Sequence, residues 1–166
     1  MNIPLKHSDT RWIPYQDAEL LIDYVSDDQF EELEVLKYDA DKELQDIIRV
    51  SLESNELKKQ LEEKKDSKKQ KRYEQLLADF DYKVRNPKLL KYFRSYIACS
   101  VKDWKNIKDI KADKEIKCEI EDNRLSKSSL RLLTENPYNA LFLFNLISNE
   151  TEFSSVDKKK FNTVNS

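Results

Sequence analysis

The side chains that could do chemistry in this chain are few, and their spacing closes most options at once. Cys99 and Cys118 stand nineteen positions apart, and the single histidine, His7, sits in a polar N-terminal stretch. A structural zinc site takes four Cys or His ligands, so these three do not make one. One histidine without a nearby Cys or Ser in a structured context gives no triad. Two small thiols in a reducing compartment read as packed side chains instead. Carboxylates abound, 32 Asp plus Glu, but none of their runs has the spacing of a calcium loop around a glycine turn. The 166 residues contain no glycine at all. An average composition of roughly 7% would supply about a dozen. Without glycine, phosphate-cradling loops and the dinucleotide fingerprint cannot be written. The expectation is a protein with no catalytic residues, no cofactor and no metal.

Charge excludes further classes. Thirty basic residues nearly cancel the 32 acidic ones, leaving a net charge of −2, so no field of one sign invites nucleic acid or a membrane surface. The lysines of EEKKDSKKQKR at 62–72 are interleaved with acids and lack stacking aromatics, unlike a single-strand-binding patch. The N-terminus has no continuous apolar stretch of the signal-peptide kind. The densest apolar run, 140–147, is far short of a membrane span. These features lead to the expectation of a soluble intracellular protein.

The elements that would carry any site follow from periodicity. Residues 11–25 look extended: Trp12, Ile13 and Tyr15 lie around Pro14, and Ala18, Leu20, Ile22 and Tyr24 share a face after a turn at Gln16-Asp17. This pattern predicts a two-stranded antiparallel ribbon, with Pro14 making the first strand an edge or bending it. Ser26 then caps a helix whose first turn is acidic, with Phe30 and Leu33 inward. A second helix runs from Asp41 to about Leu61 on Leu44, Ile47, Ile48 and Leu52. Its polar continuation through 57–72 is either a solvated helical extension or a flexible link. Tyr73, Leu76, Leu77, Phe80 and Val84 define another amphipathic helix. Asn86-Pro87 opens the next one by an Asn cap and a first-turn proline, ending near Trp104. A small hairpin or strand is expected near 107–120, where Ile116, Cys118 and Ile120 alternate with charges. Ser126 caps a short helix, and Asn136-Pro137 opens the last, to about Ser148. The fold class is therefore α+β and mainly α-helical, with five to six helices. A flexible N-terminus at 1–9, one domain over 10–148 and a disordered tail at 149–166 complete the expected organisation.

That last helix carries two apolar stripes. Ala140, Leu141, Phe144 and Ile147, with Leu143 alongside, make one. Tyr138, Phe142 and Leu146, spaced by four, make another. A helix apolar around most of its circumference is either central or at an interface, and Tyr138, Phe142 and Leu146 are the candidate partner-binding residues.

The order of elements resembles a known family. DAELLIDYVSDDQFEEL is followed by a variable charged helical region. Then come LLKYFRSYIACSVKDWKNIKD, a turn, EIKCEI and LSKSSLRLLTENPYNALFLFNLI. This is similar to the small tail assembly chaperones of tailed bacteriophages, in which a tryptophan follows the middle helix, here Val101-Lys102-Asp103-Trp104 with Ile107. The turn that commonly holds glycine in that family is Ala112-Asp113-Lys114 in this chain. The resemblance implies a non-catalytic role in virion morphogenesis in the host bacterial cytoplasm. Such chaperones bind the tape-measure protein and help recruit tail-tube subunits. It implies the tape-measure protein, and with it tail-tube protein, as partners; self-association through the Tyr138, Phe142 and Leu146 stripe, giving a homo-oligomer, would protect that surface before the client arrives. It also implies that Trp104 packs rather than binds. A small phage-encoded inhibitor of a host defence protein is the alternative, since such proteins are also short, acidic and helical.

Overall fold

The computed structural model describes residues 10–164, with side chains described through Thr151. The expectations for His7 and for a flexible segment at 1–9 lie outside those residues, as do 165–166. Among the described residues, six helices and seven short strands follow in the order β1 (Arg11–Tyr15), β2 (Ala18–Ile22), α1 (Asp27–Asp39), α2 (Asp41–Glu63), α3 (Ser67–Val84), α4 (Pro87–Ser100), β3 (Val101–Lys105), β4 (Lys108–Asp109), β5 (Lys114–Glu115), β6 (Ile120–Glu121), β7 (Arg124–Leu125), α5 (Lys127–Thr134) and α6 (Pro137–Val164). This is the mainly helical α+β class. The described chain divides into two compact units, the first formed by residues up to 31 and from 93 onward, the second by residues 32–92. The expected disordered tail at 149–166 overlaps α6 as far as Val164.

In the first unit, β1 and β2 form the expected ribbon, with Ile13 opposite Leu20 and Tyr15 opposite Ala18 across the Gln16-Asp17 turn. Residues flanking a two-residue turn exchange both ladder bonds, so Pro14, one position back, faces outward. Its missing N–H costs no bond to β2 and removes a donor from the open edge. β3 completes a sheet of order β1-β2-β3. The sequence expectation ran the middle helix on to Trp104, because Val101 continues the step of four from Phe93 and Ile97. The helix instead stops at Ser100, whose hydroxyl donates to the Tyr96 carbonyl at 2.8 Å while its own carbonyl accepts from Asp23 N at 3.0 Å. Val101 and Trp104 are three apart, yet both are buried. A register shift opposite Leu21 and Ile22 makes this possible, because a bulge changes the phase of the alternation.

Ile13, Leu20, Ile22, Val101 and Trp104 on the sheet pack with Ile97 of α4, Leu133 of α5 and Leu143 and Ile147 of α6 in one core. Capping follows the sequence. Ser26 and Gln29 make a reciprocal box, each backbone N–H donating to the other's side chain (3.2 and 3.3 Å). Asn86 accepts from Lys88 N at 2.9 Å, and Asn136 from Tyr138 N at 2.9 Å. The small hairpin expected near 107–120 is β4 and β5, with Lys108 opposite Glu115 and Asp109 opposite Lys114; of the alternating residues beyond it, Ile116 and Cys118 lie outside any strand and only Ile120–Glu121 pairs, with Arg124–Leu125. Ile116 instead donates its N–H back to the Ile107 carbonyl at 2.6 Å. Phe30, expected inward, is 54% exposed.

The second unit is built around a helical hairpin. The charged stretch at 57–72, left between a helix and a link by the sequence, is helical on both sides of a turn. Asp66 makes the turn, its carboxylate accepting from Lys68 N at 2.9 Å and Lys69 N at 3.1 Å. Ile47, Val50 and Ser54 of α2 and Leu76 and Val84 of α3 are the buried side chains of the two helices. Arg72 reaches from α3 to Glu53 of α2 at 3.0 Å.

Candidate partner-binding surface

α6 is held by its buried stripe. Ala140, Leu143 and Ile147 are fully enclosed, and the Phe144 ring packs 4.5 Å from Phe93 and 5.1 Å, edge-on, from Tyr96. Fixing that side of the helix leaves the stripe of Tyr138 and Phe142 outward. Tyr138 is 40% exposed and Phe142 54%. Leu146, the third member, is partly buried and packs against the core, so it anchors the face more than it presents it. Phe142 reaches Tyr15 of β1, with ring centroids 6.2 Å apart. The aromatic face thus runs from the first turns of α6 to the end of the β1–β2 ribbon. Burial pushes the Tyr15 phenol above its ordinary range.

Sequence reasoning missed a property of this face that was open to view. Residues 137–149, PYNALFLFNLISN, include no charged side chain, in a chain whose charged fraction is 37%. Depletion of charge around exposed aromatics marks the centre of protein interfaces.

Trp104 packs in the core of the first unit. It is 4% exposed, and its indole Nε1 donates to the Ile116 carbonyl at 2.6 Å. That bond ties the arm carrying β4 and β5 to the sheet. The turn at 112–114, written without glycine, places Asp113 at φ 49°. Among the described residues, five non-glycine positions take positive φ, Gln16, Asn106, Asp113, Asp122 and Asn123, and four of them are the Asn or Asp types best suited to it. Lys102 secures the last turn, donating from Nζ to the Asn123 carbonyl and Oδ1, both at 3.1 Å. Burial pushes its ammonium pKa down.

The titratable candidates are occupied elsewhere. Cys99 is buried and Cys118 half-buried. Burial, with the Asp103 and Glu119 carboxylates adding to it, pushes the Cys118 thiol up to about 11. That is the opposite of an activated nucleophile. A groove of about 450 Å³ in the second unit sets Glu43 and Asp46 near Lys83 and Arg85. Those charges are engaged in local pairs, Lys83 with Asp79 at 3.3 Å and Arg85 with Asp81 at 3.3 Å. Among the described residues, no group of three or more His, Cys, Asp or Glu side chains is placed to hold a metal ion. No described helix is long and apolar enough to cross a membrane.

Set against protein-family models, curated proteins and solved structures, the chain has no match.

Proposed function

We propose that this protein is a non-catalytic tail assembly chaperone that holds an amphipathic helix of a tape-measure protein on the aromatic face of α6 and helps recruit tail-tube subunits around it. The observation that carries the reading is the exposure of Tyr138 and Phe142 on an uncharged face of a helix whose other side is locked in the core. Rigid aromatics fixed from behind lose little side-chain entropy on docking, and a client helix can bury its own apolar ridge against them. The order of elements and the place of Trp104 after the middle helix are the features on which the family resemblance rests. The setting this implies is the host bacterial cytoplasm, where an unprotected tape-measure protein would aggregate through its apolar helices.

Co-expression with a tape-measure fragment tests the reading. The native chain is expected to keep the fragment in the soluble fraction. Phe142→Asp is expected to lose that effect while its own unfolding free energy changes by less than about 1 kcal/mol, as for an exposed position. Unfolding of Phe142→Asp at room temperature would make Phe142 core instead. A fragment that stays insoluble with the native chain would remove the chaperone role.

A further inference from the structure

A second surface lies on α2, in the other unit, and it does not depend on the chaperone reading. Asp41, Gln45, Ile48, Leu52, Asn55 and Lys59 are all exposed and recur at steps of four and three. That alternation is the seam of a coiled coil. The opposite side of α2 is already used, with Ile47, Val50 and Ser54 buried. Ile48 is 43% exposed and Leu52 66%, so two large aliphatic side chains stand at the middle of the seam, facing water.

The seam is complementary to its own reverse. Read from the N-terminal end it runs acid, amide, apolar, apolar, amide, base. A second α2 laid antiparallel about a two-fold axis between Ile48 and Leu52 would set Ile48 opposite Leu52, Gln45 opposite Asn55 and Asp41 opposite Lys59. Nine residues at roughly 1.5 Å rise place each terminal charge about 13.5 Å from the axis, so two ion pairs bracket the apolar centre. Parallel pairing would set like charges side by side at both ends. Arg49 flanks the axis and would approach its own copy, a repulsion softened by Asp46 at 3.9 Å within each chain.

We infer that this face of α2 takes a second copy of the chain, in an antiparallel, two-fold pairing independent of α6. Apolar contact supplies the attraction, and the placement of Asp41 and Lys59 fixes orientation and register.

Sedimentation equilibrium of the full chain over a concentration series tests this. A reversible monomer–dimer equilibrium is expected. Leu52→Glu should raise the dissociation constant roughly 100-fold with an unchanged circular dichroism spectrum. Asp41→Lys and Lys59→Asp should each weaken pairing about three- to tenfold, and the double exchange should restore it. Arg49→Gln should tighten it about twofold, and Phe142→Asp should leave it alone. A chain that stays monomeric up to about 1 mM, or a double exchange no better than either single one, overturns the inference. Loss of client binding in Leu52→Glu without any dimer in the native chain would also overturn it, and would give this face to the client.

Discussion

The two units reach stability by different routes. The first is assembled from chain on both sides of the second, because β3 and α6 return to a ribbon laid down before residue 32. Its interior holds large side chains fully enclosed, Leu20, Ile22, Phe93, Ile97, Leu143 and Ile147. The second unit is one continuous stretch, 32–92. The buried side chains of its hairpin are Ile47, Val50, Ser54, Leu76 and Val84, including a serine whose hydroxyl donates to the Ser51 carbonyl at 2.9 Å, and the same stretch also buries Leu33, Ala40, Leu89, Leu90 and Tyr92. Non-local contacts must overcome loop closure before they stabilise anything, whereas a helical hairpin forms through local ones. The first unit therefore needs a dense core. The second can form through local contacts, and it keeps apolar surface at Ile48 and Leu52 on the side of α2 away from its buried residues.

Truncating one residue in each unit is the strongest way to break that contrast. Leu20→Ala leaves a cavity at the centre of the sheet and should cost about 3–5 kcal/mol in global unfolding by denaturant. Val50→Ala removes two methyl groups from the hairpin and should cost about 1–2 kcal/mol. The loss should fall mainly on amide exchange in α2 and α3. Equal costs, both global, would mean that the hairpin is as tightly bound into the cooperative unit as the sheet.

The same contrast governs what could be read in the sequence. Caps and period-2 ribbons are local, so Ser26, Asn86, Ser126, Asn136 and the pairing of β1 with β2 were legible from neighbouring residues. The end of α4 was not. Val101 fits the helical step from Ile97, and its strand identity comes from β2, about eighty positions earlier in the chain. The hairpin turn was legible in principle: Asp66-Ser67 is a cap-then-helix signal, hidden in a run of lysines. Of the candidate surface, the stripe of Tyr138 and Phe142 could be read from spacing alone. The inward lean of Leu146 could not, because it depends on which other segments form the core.

Cys118 sharpens the comparison from within the first unit, because its reactivity reports packing around the 116–119 segment rather than global stability. With its thiol pushed up to about 11 from an ordinary value of 9.0, the thiolate fraction at pH 8 falls about 100-fold, and alkylation by iodoacetamide should slow in proportion. The sign for stability follows. Between pH 9 and 11 the unfolded thiol ionises first, so stability present below that window declines as pH rises through it. Alkylation at the rate of a free thiol at pH 8 would show that this segment opens readily despite the core beneath it.

The smallest effect comes from the turns that a glycine-free chain must make with other residues. Gln16 holds φ 53° in the two-residue turn of β1 and β2. A long side chain there crowds the backbone at a cost of about 1 kcal/mol. Gln16→Gly removes that crowding but gives the unfolded chain more freedom, so the net gain should be about 0.5 kcal/mol, or 1–2 °C in Tm. Asn123, at φ 62°, should respond in the other direction. Its side chain accepts from Lys102 Nζ at 3.1 Å, and Asn tolerates this region of φ better than Gln does. Asn123→Gly therefore loses a charge-assisted bond for little relief, and Tm should fall by about the same 1–2 °C. Opposite signs at two positive-φ turns would locate the cost in side-chain type rather than in the missing glycines as such. A gain at both would mean that the Lys102 bond adds nothing to the turn.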